Sequence, residues 1–176
     1  AYDFVGDAPS CLKMIIPEAY LGDIDDIEAE IEKRNNVMDK YINAGILEEH
    51  RGAFIYVERE MSNGAVRHGI VGKIDLEGYD YSPVSNAPIR ASERTVVDRL
   101  PPRVVLRKNA SLEMPHVMAL LNDKDRRLIE GIEKKKGSLS KLYDFDLMAG
   151  GGHIIGWLVE GKMAAEVTEM FEQVSQ

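Results

Sequence analysis

Asn63-Gly64 lies between two runs rich in β-branched and aromatic side chains, residues 53–61 and 65–76. Asn-Gly tolerates the positive φ angles of a tight hairpin turn, so these runs are predicted to pair as a β-hairpin. With Asn63 and Gly64 as a two-residue turn, Glu60 faces Arg67 and Val57 faces Ile70. That register gathers Ile55, Val57, Ile70 and Ile74 on one apolar face.

Around the hairpin the patterning is mixed. Cys11-Leu12-Lys13-Met14-Ile15-Ile16 is a short apolar run closed by Pro17, and it reads as a strand. After Gly22-Asp23, the spacing of Ile24, Ile27, Ile31, Met38, Tyr41 and Ile42 predicts a helix, acidic in its first turn and stopped near Gly45. Ser92 is read as the N-cap of a short helix over 93–100, ended by Pro101-Pro102. Residues 103–107 and 117–121 are read as two further strands, and Asn122-Asp123 as the start of a turn or helix cap. Leu128, Ile129 and Ile132 predict a helix. His153 to Val159 predicts a strand after three glycines, and 162–174 a closing amphipathic helix. The expected fold class is α+β, a mixed α/β arrangement in which a sheet with a β-hairpin and other short strands is packed by helices. No flexible hinge divides the chain, so residues 1–176 are expected to form a single domain.

Hydrophobic residues make up 44 % of the chain and charged residues 30 %, which excludes disorder as the general state. The net charge of −8 opposes binding to nucleic acid or an anionic membrane, so neither is an expected partner. Cys11 is the sole cysteine, which removes any internal disulfide and fits a cytoplasmic location.

The main departure from this acidic mean is the stretch holding Arg90, Arg94, Arg99, Arg103, Arg107 and Lys108. It is opposed only by Glu93 and Asp98, a local net of +4 that leaves −12 on the remainder. Guanidinium groups bind phosphate or carboxylate bidentately, so Arg90, Arg99, Arg103 and Arg107, with the Ser92 hydroxyl, are candidate ligands for a small anionic molecule. The competing reading is that they pair with nearby carboxylates, or form a subunit interface in a homo-oligomer. His116, near Glu113, is a candidate general acid or base, or else a packed histidine with one hydrogen bond. His153 carries the same ambiguity. Asp144 and Asp146 should point to one side of an extended segment, where they could hold a magnesium ion or act as solvated turn residues. The histidines at 50, 68, 116 and 153 show no ligand spacing, and nucleophile-elbow, P-loop and dinucleotide fingerprints are missing.

Several strings occur together in an order that is specific. They are Asp7-Ala8-Pro9-Ser10, Ile16-Pro17-Glu18-Ala19-Tyr20-Leu21, Ile74-Asp75-Leu76-Glu77-Gly78-Tyr79-Asp80-Tyr81, Ile89-Arg90-Ala91-Ser92-Glu93-Arg94-Thr95, Arg99-Leu100-Pro101-Pro102-Arg103, Pro115-His116-Val117-Met118 and Tyr143-Asp144-Phe145-Asp146-Leu147-Met148. Together they resemble the clostridial branch of the domain-of-unknown-function family numbered 1015. The resemblance spans nearly the whole chain and implies that these residues are the middle portion of a longer protein. The family's Asp-Gly-Asn/His-His string would then lie beyond Gln176. That string is similar to the phosphate-binding turn of the ParB, sulfiredoxin and free-serine-kinase group. By this fold-level analogy the resemblance implies a nucleotide-dependent enzyme using ATP or ADP with Mg2+ on a small polar metabolite. Glu93 would then position a substrate or metal. Where this chain has Ser92 and Arg94 the family more usually has Thr and Gly, which keeps the hydroxyl and weakens a role for Arg94. The alternative is a noncatalytic anion-binding or scaffold domain.

Overall fold

A computed structural model describes residues 2–17, 23–80, 82, 87, 89–90 and 96–174, with the backbone alone at Arg99, Pro102 and Val174. The architecture is α+β, with helices, a four-stranded antiparallel sheet and a small parallel strand pair. The chain forms two compact units, Ala1–Glu49 with Glu93–Ala119, and His50–Ser92 with Leu120–Gln176.

The first unit is helical. It contains α1 (Tyr2–Val5), a 3-10 turn at Cys11–Lys13, α2 (Ile27–Asn43) and α3 (Leu100–Arg107). The α2 helix starts where Asp26 accepts a hydrogen bond from the Ala29 amide at 3.0 Å, with Glu28 and Glu30 in its first turn. Its inner face packs Met38 and Tyr41 on Met14, with Val37, Leu47, Ala110, Leu112 and Met114 around them. Met14 comes from the segment read above as a strand. That segment instead folds as the 3-10 turn, because the Ser10 hydroxyl accepts from the Leu12 amide and caps it.

The proline pair also acts differently from the expectation. Leu100-Pro101-Pro102 opens α3 rather than ending a helix, and residues 103–107 are helical rather than a strand. Proline in a first turn costs no hydrogen bond, since the amides there have no partner within the helix, and its fixed φ suits helix entry. The expected N-cap Ser92 lies outside the described residues. Residues 117–121 form no strand, and Val117, Met118 and Leu120 are exposed.

The second unit is built on two hairpins. β1 (Phe54–Glu60) pairs with β2 (Val66–Val71), and β5 (Ser140–Asp146) with β6 (His153–Val159). Antiparallel pairing of β1 with β6 joins them in the order β2-β1-β6-β5. A short parallel pair, β3 (Tyr79–Asp80) with β4 (Ile89–Arg90), stands apart as a second sheet. The first hairpin forms as predicted but one residue out of the predicted register. Tyr56, not Val57, lies opposite Ile70, and Glu60 lies opposite Val66. The cause is the loop. Met61 and Ala65 are bonded at 2.8 Å across Ser62-Asn63-Gly64, a three-residue connection with Gly64 at φ 79°.

Phe54 and Tyr56 of β1 share a face with Ile155, Trp157 and Val159 of β6. That face is covered by α4 (Arg127–Glu133) and α5 (Gly161–Val174), whose Leu128, Ile132 and Val167 are fully buried against Tyr56, Trp157 and Val159. Truncating Leu128 to alanine there should cost about 2–5 kcal/mol. Asp123 anchors α4: its two oxygens accept from the Arg127 and Leu128 amides, each at 3.0 Å, as a cap at this point requires. Among the described residues no helix is long and apolar enough to cross a membrane.

On the opposite face Tyr143 lies directly across from Gly156, and its ring covers the glycine. A methyl group at Gly156 would sit 2.3 Å from Tyr143 Cζ, too close to coexist. Gly156→Val is therefore expected to destabilise the chain by roughly 1–3 kcal/mol in urea denaturation. Combining it with Tyr143→Ala should recover part of that loss, whereas strictly additive effects would show that the ring and the glycine are not coupled.

Candidate functional site

The helix-covered face of the sheet changes character along its strands. Tyr56 and Trp157 lie under the helices, but the next row of the same face holds Glu58, His68 and Asp144 beside Ile155, and the row after it Glu60, His153 and Asp146 beside Val66. Two polar groups occupy this end.

The first centres on Glu58. Cross-strand pairing sets His68 directly opposite it, and alternation sets Tyr56 on the same side. The buried Tyr56 hydroxyl donates to Glu58 Oε1 at 3.1 Å and lies 2.8 Å from His68 Nδ1. Lys136 Nζ reaches Glu58 Oε1 at 2.5 Å while standing 5.3 Å from the centre of the Trp157 ring, a cation–π position. Glu133, in the last turn of α4, completes the group. One oxygen of each glutamate and one ring nitrogen of His68 lie within 4.8 Å of one another. Burial first, then the Glu58 charge and hydrogen bond and the Glu133 charge, hold the Tyr56 phenol well above its ordinary range. The phenol therefore stays protonated and acts as a hydrogen-bond donor. Glu58 and Glu133 with an imidazole are ligands suited to a divalent cation.

The second group is made by β5 and β6. His153 Nδ1 meets Asp146 Oδ1 and its Nε2 meets Asp144 Oδ1, both at 2.7 Å. The two aspartates do point to one side, as the extended segment predicts, and that side holds the imidazole. Lys141 also reaches Asp144, at 2.5 Å. Residues three apart on a regular strand face opposite ways. Here a bulge between Lys141 and Tyr143 resets the alternation and turns Lys141, Asp144 and Asp146 the same way. An imidazole clasped at both nitrogens by carboxylates is favoured in its doubly protonated form.

The other residues singled out in the sequence fall in both units. Arg90 is exposed on β4 of the second unit, where its Nε donates to the Ala87 carbonyl at 3.1 Å. Arg103 and Arg107 lie on α3 of the first unit, Arg103 exposed and Arg107 paired with Glu113 at 3.1 Å. Arg99 closes the 3-10 turn Val97–Arg99. His116 is exposed in an irregular segment of the same unit. Ser92, Glu93 and Arg94 lie outside the described residues. A two-residue turn at Asn63-Gly64 would leave Glu58 opposite Gly69 and keep it from His68. The three-residue loop at Ser62-Asn63-Gly64 places Glu58 opposite His68.

The hydrogen bonds to Asp146 and then Asp144 raise the His153 pKa above its ordinary value near 6.5, and the Lys141 and then His153 bonds lower that of Asp144. The signs differ. The His153 contribution to stability is complete below pH 6.5 and lost as pH rises through the raised value. The Asp144 contribution is complete above its ordinary carboxylate range and lost as pH falls through the lowered value. An NMR titration should place the His153 midpoint above 6.5, and Asp146→Asn should bring it down. A midpoint at or below 6.5 in the unmodified chain would refute the clasp.

No curated protein and no solved structure matches the chain. The resemblance noted in the sequence is borne out over nearly every residue: the chain matches, over residues 3–176, the family described as protein of unknown function (DUF1015), and it belongs to that family.

Proposed function

We propose that the chain takes part in nucleotide-dependent transfer of phosphate to a small polar molecule, with Arg90 of the second unit and Arg103 of the first each available to a phosphate group. The observation that carries this reading is the state of these two guanidinium groups. Both residues are exposed, and neither has a carboxylate partner within ion-pair distance among the described residues. In a chain with 30 acidic residues, arginines left without such partners are open to an anionic ligand. Arg107 is less available because Glu113 already holds it. Glu93 and Ser92 would position the substrate, His116 would move a proton, and Arg99 would add charge. Asp144 and Asp146 could meet the Mg2+ that accompanies ATP or ADP if His153 releases them.

A second reading, a noncatalytic interaction domain, draws on α3. Leu100, Val104 and Val105 are exposed beside Arg103, so the helix presents apolar and cationic groups together. Such a surface suits a protein partner, including a second subunit.

Calorimetric titration with ATP and ADP, with and without Mg2+, tests the first reading. Saturable heat is expected. Arg90→Ala or Arg103→Ala should weaken binding by about 10–100-fold, the loss of a charge-assisted contact, and Arg107→Ala by less. No heat from a chain shown to be folded by circular dichroism would end the phosphotransfer reading.

A further inference from the structure

Glu58, His68 and Glu133 come from three different elements, β1, β2 and the last turn of α4, yet their ligand atoms converge within 4.8 Å. Neither glutamate is exposed, and among the described residues the ammonium paired with Glu58 is that of Lys136. Like charges at this separation repel, and partial burial strengthens the repulsion by excluding water. A cation between them would relieve it. The two glutamates stand on packed elements: β1 is an inner strand, Tyr56 is fully buried with its hydroxyl bonded to Glu58, and α4 is anchored by Leu128 and Ile132 in the core, while His68 is exposed on the edge strand β2. Ligands on regular elements with hydrogen-bonded neighbours are what a metal site needs to keep its geometry.

We propose that Glu58, His68 and Glu133 form a binding site for a first-row transition divalent cation of the Zn2+ or Mn2+ type. The mixed donor set makes the choice. Mg2+ favours an all-oxygen octahedral shell and keeps its waters, whereas an imidazole nitrogen with two carboxylates favours zinc or manganese. The site is separate from the nucleotide reading, since it needs neither the arginines nor a phosphate. The Lys136 ammonium is bonded to Glu58 Oε1, so an entering cation must displace it. Its other contact is Trp157, the only tryptophan of the chain. Metal entry therefore shifts a charge over the one indole of the chain.

Titration of the chain with Zn2+, Mn2+ and Mg2+ in the absence of nucleotide, followed by Trp157 fluorescence and by equilibrium dialysis with metal analysis, tests the site. One Zn2+ or Mn2+ should bind per chain with a change in emission, and Mg2+ should bind at least about tenfold more weakly. Glu133→Gln and His68→Gln should each weaken binding by about tenfold or more. Lys136→Met should tighten it, because a competing charge has gone. These opposite directions separate a lost ligand from a damaged fold, which would weaken binding in every variant. Stoichiometric binding that survives Glu133→Gln but disappears in Asp146→Asn would assign the ion to the β5–β6 aspartates and overturn the proposal. So would the absence of saturable binding, or a Lys136→Met variant that binds no more tightly.

Discussion

The antiparallel pairing of Phe54–Glu60 with His153–Val159 holds the second unit together. It joins strands from distant parts of the sequence, so a long loop must close before any bond between them forms. What repays that entropy is a face on which Phe54, Tyr56, Trp157 and Val159 meet α4 and α5. Each hairpin could form locally, but each would leave its apolar face in water. Only their union gives the helices a floor wide enough to bury Leu128, Ile132 and Val167.

Much of this could be read from the residues. The hairpin, the helix at 27–43, the strand at 153–159 and the closing helix all follow from period and caps, because each is long enough for its pattern to dominate. The failures have local causes. Pro101-Pro102 reads as a stop only if the helix is assumed to precede it. Short apolar runs such as 11–16 and 117–121 carry no period that separates strand from turn. The register failed through one residue in a loop, and that slip had the largest functional effect. A two-residue turn pairs Glu60 with Arg67, whereas the three-residue loop brings Glu58 opposite His68. Glu133 was beyond reach for another reason, since no spacing rule links a residue on α4 to a hairpin far upstream.

The polar and apolar chemistry of the second unit are parts of one surface. Where the helices end, the sheet face passes from Trp157 and Tyr56 to Glu58, His68 and His153 within two strand positions. Tyr56 belongs to both regions, its ring fully buried in the core and its hydroxyl directed at Glu58. A carboxylate at such a boundary is dry enough to need a partner and wet enough to exchange one, which is the condition for binding chemistry rather than for packing. The arginine chemistry inferred from composition is of another kind. Arg90 and Arg103 are exposed away from the packed cores, and Arg107 meets Glu113.

Among the described residues the sheet has four strands, and β5 is one of its edges. An outermost strand offers unpaired amides and carbonyls on which a foreign strand could grow. The bulge between Lys141 and Tyr143 interrupts the even spacing of those groups. Lys141, Asp144 and Asp146 then line the rim with fixed charge that an incoming apolar segment would have to strip of water. The same kink that turns the two aspartates toward His153 thus makes this edge a poor template for a further strand.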